Sequence, residues 1–293
     1  MSAHTTTSPS PTKNAPRPRP GSGITFTRVL RSEWIKVTTV RSTVILIAST
    51  VLVMVGLALL GAWGYAQIAQ TMNDGGMPAN FQAQGPGDPA VDALTTPSSG
   101  LIFGQLLIAS LAVVLIASEW ATGMIRSTMV AVPGRTPALL AKTAVIAAVA
   151  FLVGLLSALV SYLIAQPILG SQDLDFALTQ DGVLASIINT GTYLALVAVI
   201  SISLGILLRN TAGGVVTAVG IFFVLPVIMQ LLSGLAAWVT DAARFLPGEA
   251  GNKMVAVTAA DDALTQLQGG LVMGAWALAF LAAALIVTKK RDV

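Results

Sequence analysis

The stretch Val44-Ile-Leu-Ile-Ala-Ser-Thr-Val-Leu-Val-Met-Val-Gly-Leu-Ala-Leu-Leu-Gly-Ala-Trp-Gly64 decides the fold class. It carries no charge and is as long as the roughly 20 residues that cross a hydrocarbon core of about 30 Å. A charge at the bilayer centre costs at least about 2.5–3.5 kcal/mol, so long charge-free windows mark membrane spans. The stretch therefore predicts a transmembrane helix over 44–64.

Similar windows recur along the whole chain. The charge-free windows cover 42–73, 93–118, 143–172, 182–208, 210–240 and 263–288. Trimming their polar ends predicts helices near 44–64, 99–117, 143–166, 185–208, 212–236 and 269–288. Of the 293 residues 55% are hydrophobic and only 10% are charged, whereas soluble domains carry about 25% charged residues. We therefore predict an all-α integral membrane protein, with a six-transmembrane-helix bundle over 44–288.

The charged residues predict the orientation of this bundle. The chain has 16 Lys and Arg residues, and only Arg244 and Lys253 fall on the side opposite the two termini. Most acidic residues fall on that opposite side, which we call the outer side. Basic residues are retained in cytoplasmic loops, so both termini are predicted to be cytoplasmic.

The amino-terminal region divides into two parts. Residues 1–23 are rich in Pro, Ser and Thr, which predicts a disordered cytoplasmic tail. Residues 24–43 predict an amphipathic helix at the cytoplasmic interface, with an apolar face made of Phe26, Val29, Leu30, Trp34, Val37 and Val40. Glu33 interrupts this face, so it pairs either with Lys36 or with a basic residue of another cytoplasmic segment such as Arg126. Residues 289–293 form a basic cytoplasmic end.

Two connecting segments are longer than a simple turn requires. The cytoplasmic segment 118–135 begins with Glu119 as a continuation of the second span, and Pro133 marks its end. Glu119 and Arg126 are seven residues apart and share one face of a helix, so we expect them to stabilise the segment. Residues 241–268 predict short helices at or partly within the outer interface.

Several kinds of chemistry are missing from the sequence. There is no cysteine, the single histidine is His4 in the tail, and no phosphate-binding loop of the Gly-rich type occurs. No ionisable residue lies inside the six predicted helices, which disfavours a proton-driven carrier. We therefore expect no enzyme activity, no metal and no cofactor bound by this chain.

In this arrangement the chain resembles the permease subunits of ABC type-2 transporters. The resemblance covers most of the chain from about residue 26. The motifs that carry it are Arg28-Val-Leu-Arg-Ser-Glu-Trp-Ile-Lys36 with Arg41-Ser-Thr43, Glu119-Trp-Ala-Thr-Gly-Met-Ile-Arg-Ser-Thr128, Pro133 with Arg135, and Phe245-Leu-Pro-Gly-Glu-Ala-Gly251.

The resemblance implies a partner and a mechanism. Two permeases, this chain and a second copy or a related permease, would face each other in a bacterial plasma membrane with anionic headgroups. Separate ABC ATPase subunits would bind ATP and Mg and dock on the cytoplasmic side; no nucleic acid is expected. The residues implied in coupling to the ATPase are Glu33, Lys36, Glu119, Arg126 and Arg135. Those implied along the substrate path, on the second and fifth spans, are Phe103, Gln105, Ser110, Phe222, Phe223 and Met229.

Two other functions stay open on the sequence. A carrier that is not driven by ATP would transport when ATP is depleted and stop when the ion gradient collapses. A membrane scaffold or immunity protein would not transport and would associate with no ATPase. The substrate is not indicated by any motif.

Overall fold

The computed structural model describes residues 26–75, 88–124, 136–234, 237–258 and 263–290. These residues form helices and connecting turns, without a strand. We number the α-helices α1 Phe26–Thr39, α2 Arg41–Asn73, α3 Pro89–Ala93, α4 Leu101–Ala121, α5 Thr136–Leu169, α6 Val183–Leu208, α7 Thr211–Val219, α8 Leu225–Leu232, α9 Ala237–Ala243, α10 Pro247–Val255 and α11 Gln266–Lys290.

Six helical segments of the described chain are long and apolar enough to cross a membrane. They cover Arg41–Asn73, Thr96–Ala121, Thr136–Gln172, Val183–Leu208, Thr211–Leu232 and Gln266–Lys290. The fifth is composite, because a π-helical turn, Gly220–Val224, joins α7 to α8. This confirms the predicted all-α class with six candidate spans, as in a multi-pass membrane protein.

The helices extend further than the apolar windows. Helices α2 and α5 contain 33 and 34 residues, which corresponds to about 50 Å at 1.5 Å per residue. As a result Glu119 lies in the last turn of α4 and Lys142 in the second turn of α5. The predicted spans 99–117 and 143–166 themselves contain no charged residue, but the helices that include them do, because a helix continues past the point where its apolar residues end.

Helix α6 forms the centre of the bundle, where it packs against α4, α5, α7, α10 and α11. Close approach to α5 depends on small residues: a Cβ atom at Gly154 would lie only 2.8 Å from the carbonyl oxygen of Thr190. Such small-residue contacts are typical of membrane helix packing. Helices α2, α8 and α11 lie at the periphery, and few of their large apolar side chains are fully buried.

The two ends of the bundle carry different elements. We call the end formed by α1, the last turn of α4 and the first turns of α5 the α1 end. The opposite end, with α3, α9 and α10, is the α10 end. Helix α1 packs on α5 and α2 and ends where Val40 adopts an extended conformation.

The predicted amino-terminal segment is helical over Phe26–Thr39, and part of its predicted apolar face packs against the rest of the chain. Val29, Glu33 and Val37 are buried, whereas Phe26 and Trp34 are exposed. The location of α1 at a membrane surface stays a prediction. The predicted tail over 1–23 lies outside the described residues, as do Arg126, Arg135 and residues 291–293.

Candidate functional site

Four charged side chains meet at the α1 end and form the charge cluster: Glu33, Lys36, Glu119 and Lys142. The Nζ atom of Lys142 contacts Oε2 of Glu33 and lies 2.7 Å from Oε1 of Glu119. The Nζ atom of Lys36 lies 2.7 Å from Oε1 of Glu33 and 3.3 Å from Oε1 of Glu119. Each base therefore contacts both acids, and the closed ring joins α1 to α4 and α5.

Most of the charge cluster is removed from solvent. The exposed fractions of Glu33, Glu119 and Lys142 are only 4%, 5% and 5%. Two acids and two bases make the cluster neutral. Burial on its own raises the pKa of Glu33, but the charge of Lys142 and hydrogen bonds from Lys142 and Lys36 outweigh it and hold that pKa below its ordinary value of 4.5.

The pKa of Lys36 is likewise shifted in the direction that keeps its side chain charged. Burial on its own lowers the pKa of Lys36, but its hydrogen bond to Glu33 and the charge of Glu119 hold that pKa above its ordinary value of 10.5. Within the described chain, Oε2 of Glu119 is buried and accepts no hydrogen bond. Because a buried charge without a partner is costly, any motion that opens the ring is opposed by its three buried members, Glu33, Glu119 and Lys142.

The sequence predicted part of this cluster. The pairing of Glu33 with Lys36 is present, and so is the contact of Glu33 with a base from another segment. That base is Lys142, which sequence reasoning missed as a partner because it was placed in a connecting loop. The alternative partner Arg126 lies outside the described residues. The sequence signal that could have identified Lys142 is its position directly before the apolar window 143–172. A base at such a position is buried when the helix packs, and a buried base needs an acid partner.

A cation–π contact lies beside the charge cluster at the same end. The guanidinium of Arg209 stands 4.1 Å from the ring centre of Trp120, which follows Glu119 in the chain. Arg209 has a positive φ of 50° at the turn between α6 and α7. The contact connects this short turn to the end of α4.

A second polar group lies inside the bundle, toward the α10 end. The hydroxyl of Tyr193 donates to Oε1 of Gln105, and Nε2 of Gln105 donates to the carbonyl oxygen of Phe222 at 3.3 Å. Gln105 is only 5% exposed. Its amide thus links α4, α6 and the π-helical turn inside one chain.

Gln105 also borders a cavity of about 490 Å³, which we call the α10-end cavity. One wall comes from α4, the π-helical turn and α8 and is mainly apolar, with Gln105 and Gln230 as its polar members. The other wall is polar and comes from α9, the residue after it, Arg244, and α10 with Glu249 and Lys253. A volume of this size suits a small-molecule site, which typically measures about 300–1,000 Å³.

The structure separates the residues predicted along a substrate path into two groups. Gln105, Phe222, Phe223 and Met229 line the α10-end cavity. Phe103 is 50% exposed on another face of α4 and borders an apolar groove on α2. Ser110 donates to the carbonyl oxygen of Leu106 at 2.8 Å within its own helix. A role for any of them in transport stays a prediction.

The described residues contain no group of three or more His, Cys, Asp or Glu side chains arranged to hold a metal ion. No protein-family model, no curated protein and no solved structure matches this chain. The candidate functional features are therefore the charge cluster at one end and the α10-end cavity near the other.

Proposed function

We propose that this chain is the permease subunit of an ATP-driven exporter of the ABC type-2 class, which forms the substrate path and is coupled to a separate ATPase subunit. The observation that carries the proposal is the charge cluster. It joins α1, a short helix outside the candidate spans, to α4 and α5, two of the candidate spans. A force applied to α1 would be transmitted to both.

The position of the cluster supports this role over ion carriage. A carrier that couples to protons needs a titrating group on the path across the membrane. Glu119 and Lys142 occupy the ends of α4 and α5, and each is neutralised by partners. The pKa of Glu33 is lowered and that of Lys36 is raised, so both groups stay charged at neutral pH and neither is suited to release protons there.

The proposal places α1 on the cytoplasmic side of a bacterial plasma membrane, as an interfacial helix with its basic residues near anionic headgroups. The ATPase subunit would dock against α1 and the segment that follows α4. It would supply the ATP and Mg sites. A second permease, a copy of this chain or a related one, would complete the path.

The test is coupling between the two subunits. The chain isolated from its native membrane in mild detergent should carry an ATP-hydrolysing subunit, and the reconstituted complex should lose ATP-driven transport in a Glu119→Gln variant. The amount of bound ATPase should stay the same. Asp175→Asn, an exposed acid remote from the charge cluster, is the matched control and should behave as the unmodified chain.

Two outcomes would contradict the proposal. One is transport that continues after ATP depletion and stops on collapse of the ion gradient, which would favour the carrier. The other is isolation of the chain without any ATP-hydrolysing partner, which would favour a scaffold.

A further inference from the structure

Helix α10 carries an acid and a base on one face. Glu249 and Lys253 are four residues apart, a spacing that allows an ion pair along a helix. In the described chain their side chains form no ion pair or hydrogen bond with each other or with another residue. Both instead line the α10-end cavity. The third charged residue of its wall, Arg244, is already paired with Asp241 at 3.3 Å.

Helix α10 is fixed in place, so these two charges are held at the cavity. The hydroxyl of Ser186 donates to the carbonyl oxygen of Val255, and Nδ2 of Asn189 donates to that of Met254 at 2.9 Å. Gly251 lies directly against the ring of Tyr193, where a Cβ atom would overlap it. The acid and the base are thus presented from a rigid support.

The opposite wall of the cavity is mainly apolar. Phe223, Pro226 and Val227 contribute to it, and Gln230 on α8 and Asn252 on α10 add one amide to each wall. A ligand that fits must therefore bury an apolar body on one side and pair two opposite charges on the other. A singly charged ligand would leave one of the two side chains next to a like charge.

We propose that the α10-end cavity binds a zwitterionic amphiphile, a molecule with an apolar body and a head group that carries one cation and one anion. Glu249 pairs with the cation and Lys253 with the anion. The apolar body lies against Phe223 and Val227. This inference rests on the proposed function in so far as the amphiphile is the exported substrate.

The test measures binding to the purified chain in neutral maltoside micelles, without ATP or partner. The probes are octylphosphocholine, octyl phosphate and octyltrimethylammonium, which share one chain and differ in head-group charge. Isothermal titration should show that the zwitterion binds about tenfold more tightly than either singly charged probe, as charge-assisted hydrogen bonds predict. Equal affinities for the three probes would overturn the proposal.

Variants of Glu249 and Lys253 test which side chain pairs with which charge of the ligand. Glu249→Gln should bind the zwitterion and the anion equally, and Lys253→Gln should bind the zwitterion and the cation equally. The double exchange Glu249→Lys with Lys253→Glu keeps both charges and should keep the preference for the zwitterion, which also shows that the helix tolerates substitution. Asp175→Asn is the control and should match the unmodified chain. Retained preference in both single variants would overturn the proposal.

Two further measurements separate the sources of the ligand and the two proposals. Displacement of octylphosphocholine by a two-chain phosphatidylethanolamine would assign the site to a membrane lipid, and failure to displace it would assign the site to a smaller exported molecule. Zwitterion binding that persists in a chain with no ATP-linked transport would contradict the proposed function while leaving the site intact.

Discussion

The Nζ atom of Lys142 lies 2.7 Å from Oε1 of Glu119, and this contact joins the second turn of α5 to the last turn of α4. Lys142 also contacts Glu33 on α1. One buried ammonium thus holds three helices together at the α1 end. Because two acids depend on it, its removal has a larger effect than the loss of one contact.

We predict that Lys142→Met destabilises the chain by about 3–5 kcal/mol, the usual cost of removing one partner of a buried ion pair. Lys289→Met, at an exposed base near the end of α11, should change stability by less than about 0.5 kcal/mol. Denaturant unfolding in detergent micelles measures both. Addition of Glu119→Gln to Lys142→Met should recover part of the loss, because one buried carboxylate is no longer unpaired.

The charge cluster should also make the packing of α1 depend on pH. The pKa of Glu33 is lowered, so its contribution to stability is present above 4.5 and is lost as the pH falls through the folded-state pKa. The pKa of Lys36 is raised, so its contribution is present below 10.5 and is lost as the pH rises through the folded-state pKa. The packing of α1 should therefore be constant across neutral pH and loosen at both extremes.

Pulsed EPR distances measure this packing. The chain has no native cysteine, so spin labels can be attached at Thr38→Cys and Leu140→Cys, two exposed positions on α1 and α5. The distance distribution should stay narrow near neutral pH and broaden in strong acid and strong base. A distribution that broadens between pH 6 and 8 would contradict the pKa directions.

A single added methyl group should distinguish a packed glycine from an open one. At Gly251 a Cβ atom would overlap the Tyr193 ring, whereas at Gly274 on α11 nothing lies within 4 Å. We expect Gly251→Ala to cost about 1–3 kcal/mol by overpacking. Gly274→Ala should be neutral or stabilising by up to about 1 kcal/mol, since alanine favours a helix. Thermal unfolding of the two variants checks the difference, and equal stabilities would show that α10 packs differently.

The orientation of the bundle can be tested by labelling. Single cysteines at Asp92, Asp175 and Glu249 should react with an impermeant maleimide in intact cells, because the positive-inside rule places these positions outside. A cysteine at Arg135 should react only after the cells are opened. External labelling at Arg135 would reverse the proposed orientation.

Contact with a second permease should be detected from Phe103 rather than from Gln105. Phe103 is 50% exposed, whereas Gln105 is 5% exposed and bonded inside the chain. A cysteine at Phe103 should form a permease-to-permease adduct with a short bismaleimide. A cysteine at Gln105 should not. The reverse pattern would place the partner on another face of α4.

The number of candidate spans was predictable because a charge in hydrocarbon is costly, so that spans appear in the sequence as long charge-free windows. The ends of the helices were not predictable in this way. An apolar window shows which residues can lie in the membrane, but it does not show where the backbone hydrogen bonds of the helix stop. Lys142 was missed for this reason: its helix begins at Thr136, before the apolar window opens at Thr143.

The substrate-path residues illustrate a second limit. Phe103 and Gln105 are two residues apart, so they point about 160° apart around α4, and no single cavity can receive both. Helix α10 is a short helix within the predicted region 241–268, but its packing at the cavity could not be predicted from the span pattern. The position of α10 depends on hydrogen bonds from α6 to backbone carbonyls of α10. Such bonds cannot be read from the hydrophobicity pattern of the sequence.

The π-helical turn Gly220–Val224 has a consequence for the face that α8 presents to the α10-end cavity. A π turn accommodates one residue more than an α turn, and each residue of an α-helix corresponds to about 100° of rotation. Deleting one residue there would rotate all of α8 about its axis and present a different set of unchanged side chains. The set of side chains that this wall presents is therefore determined by residue count as well as residue type, so a length change alone would alter the wall without any substitution.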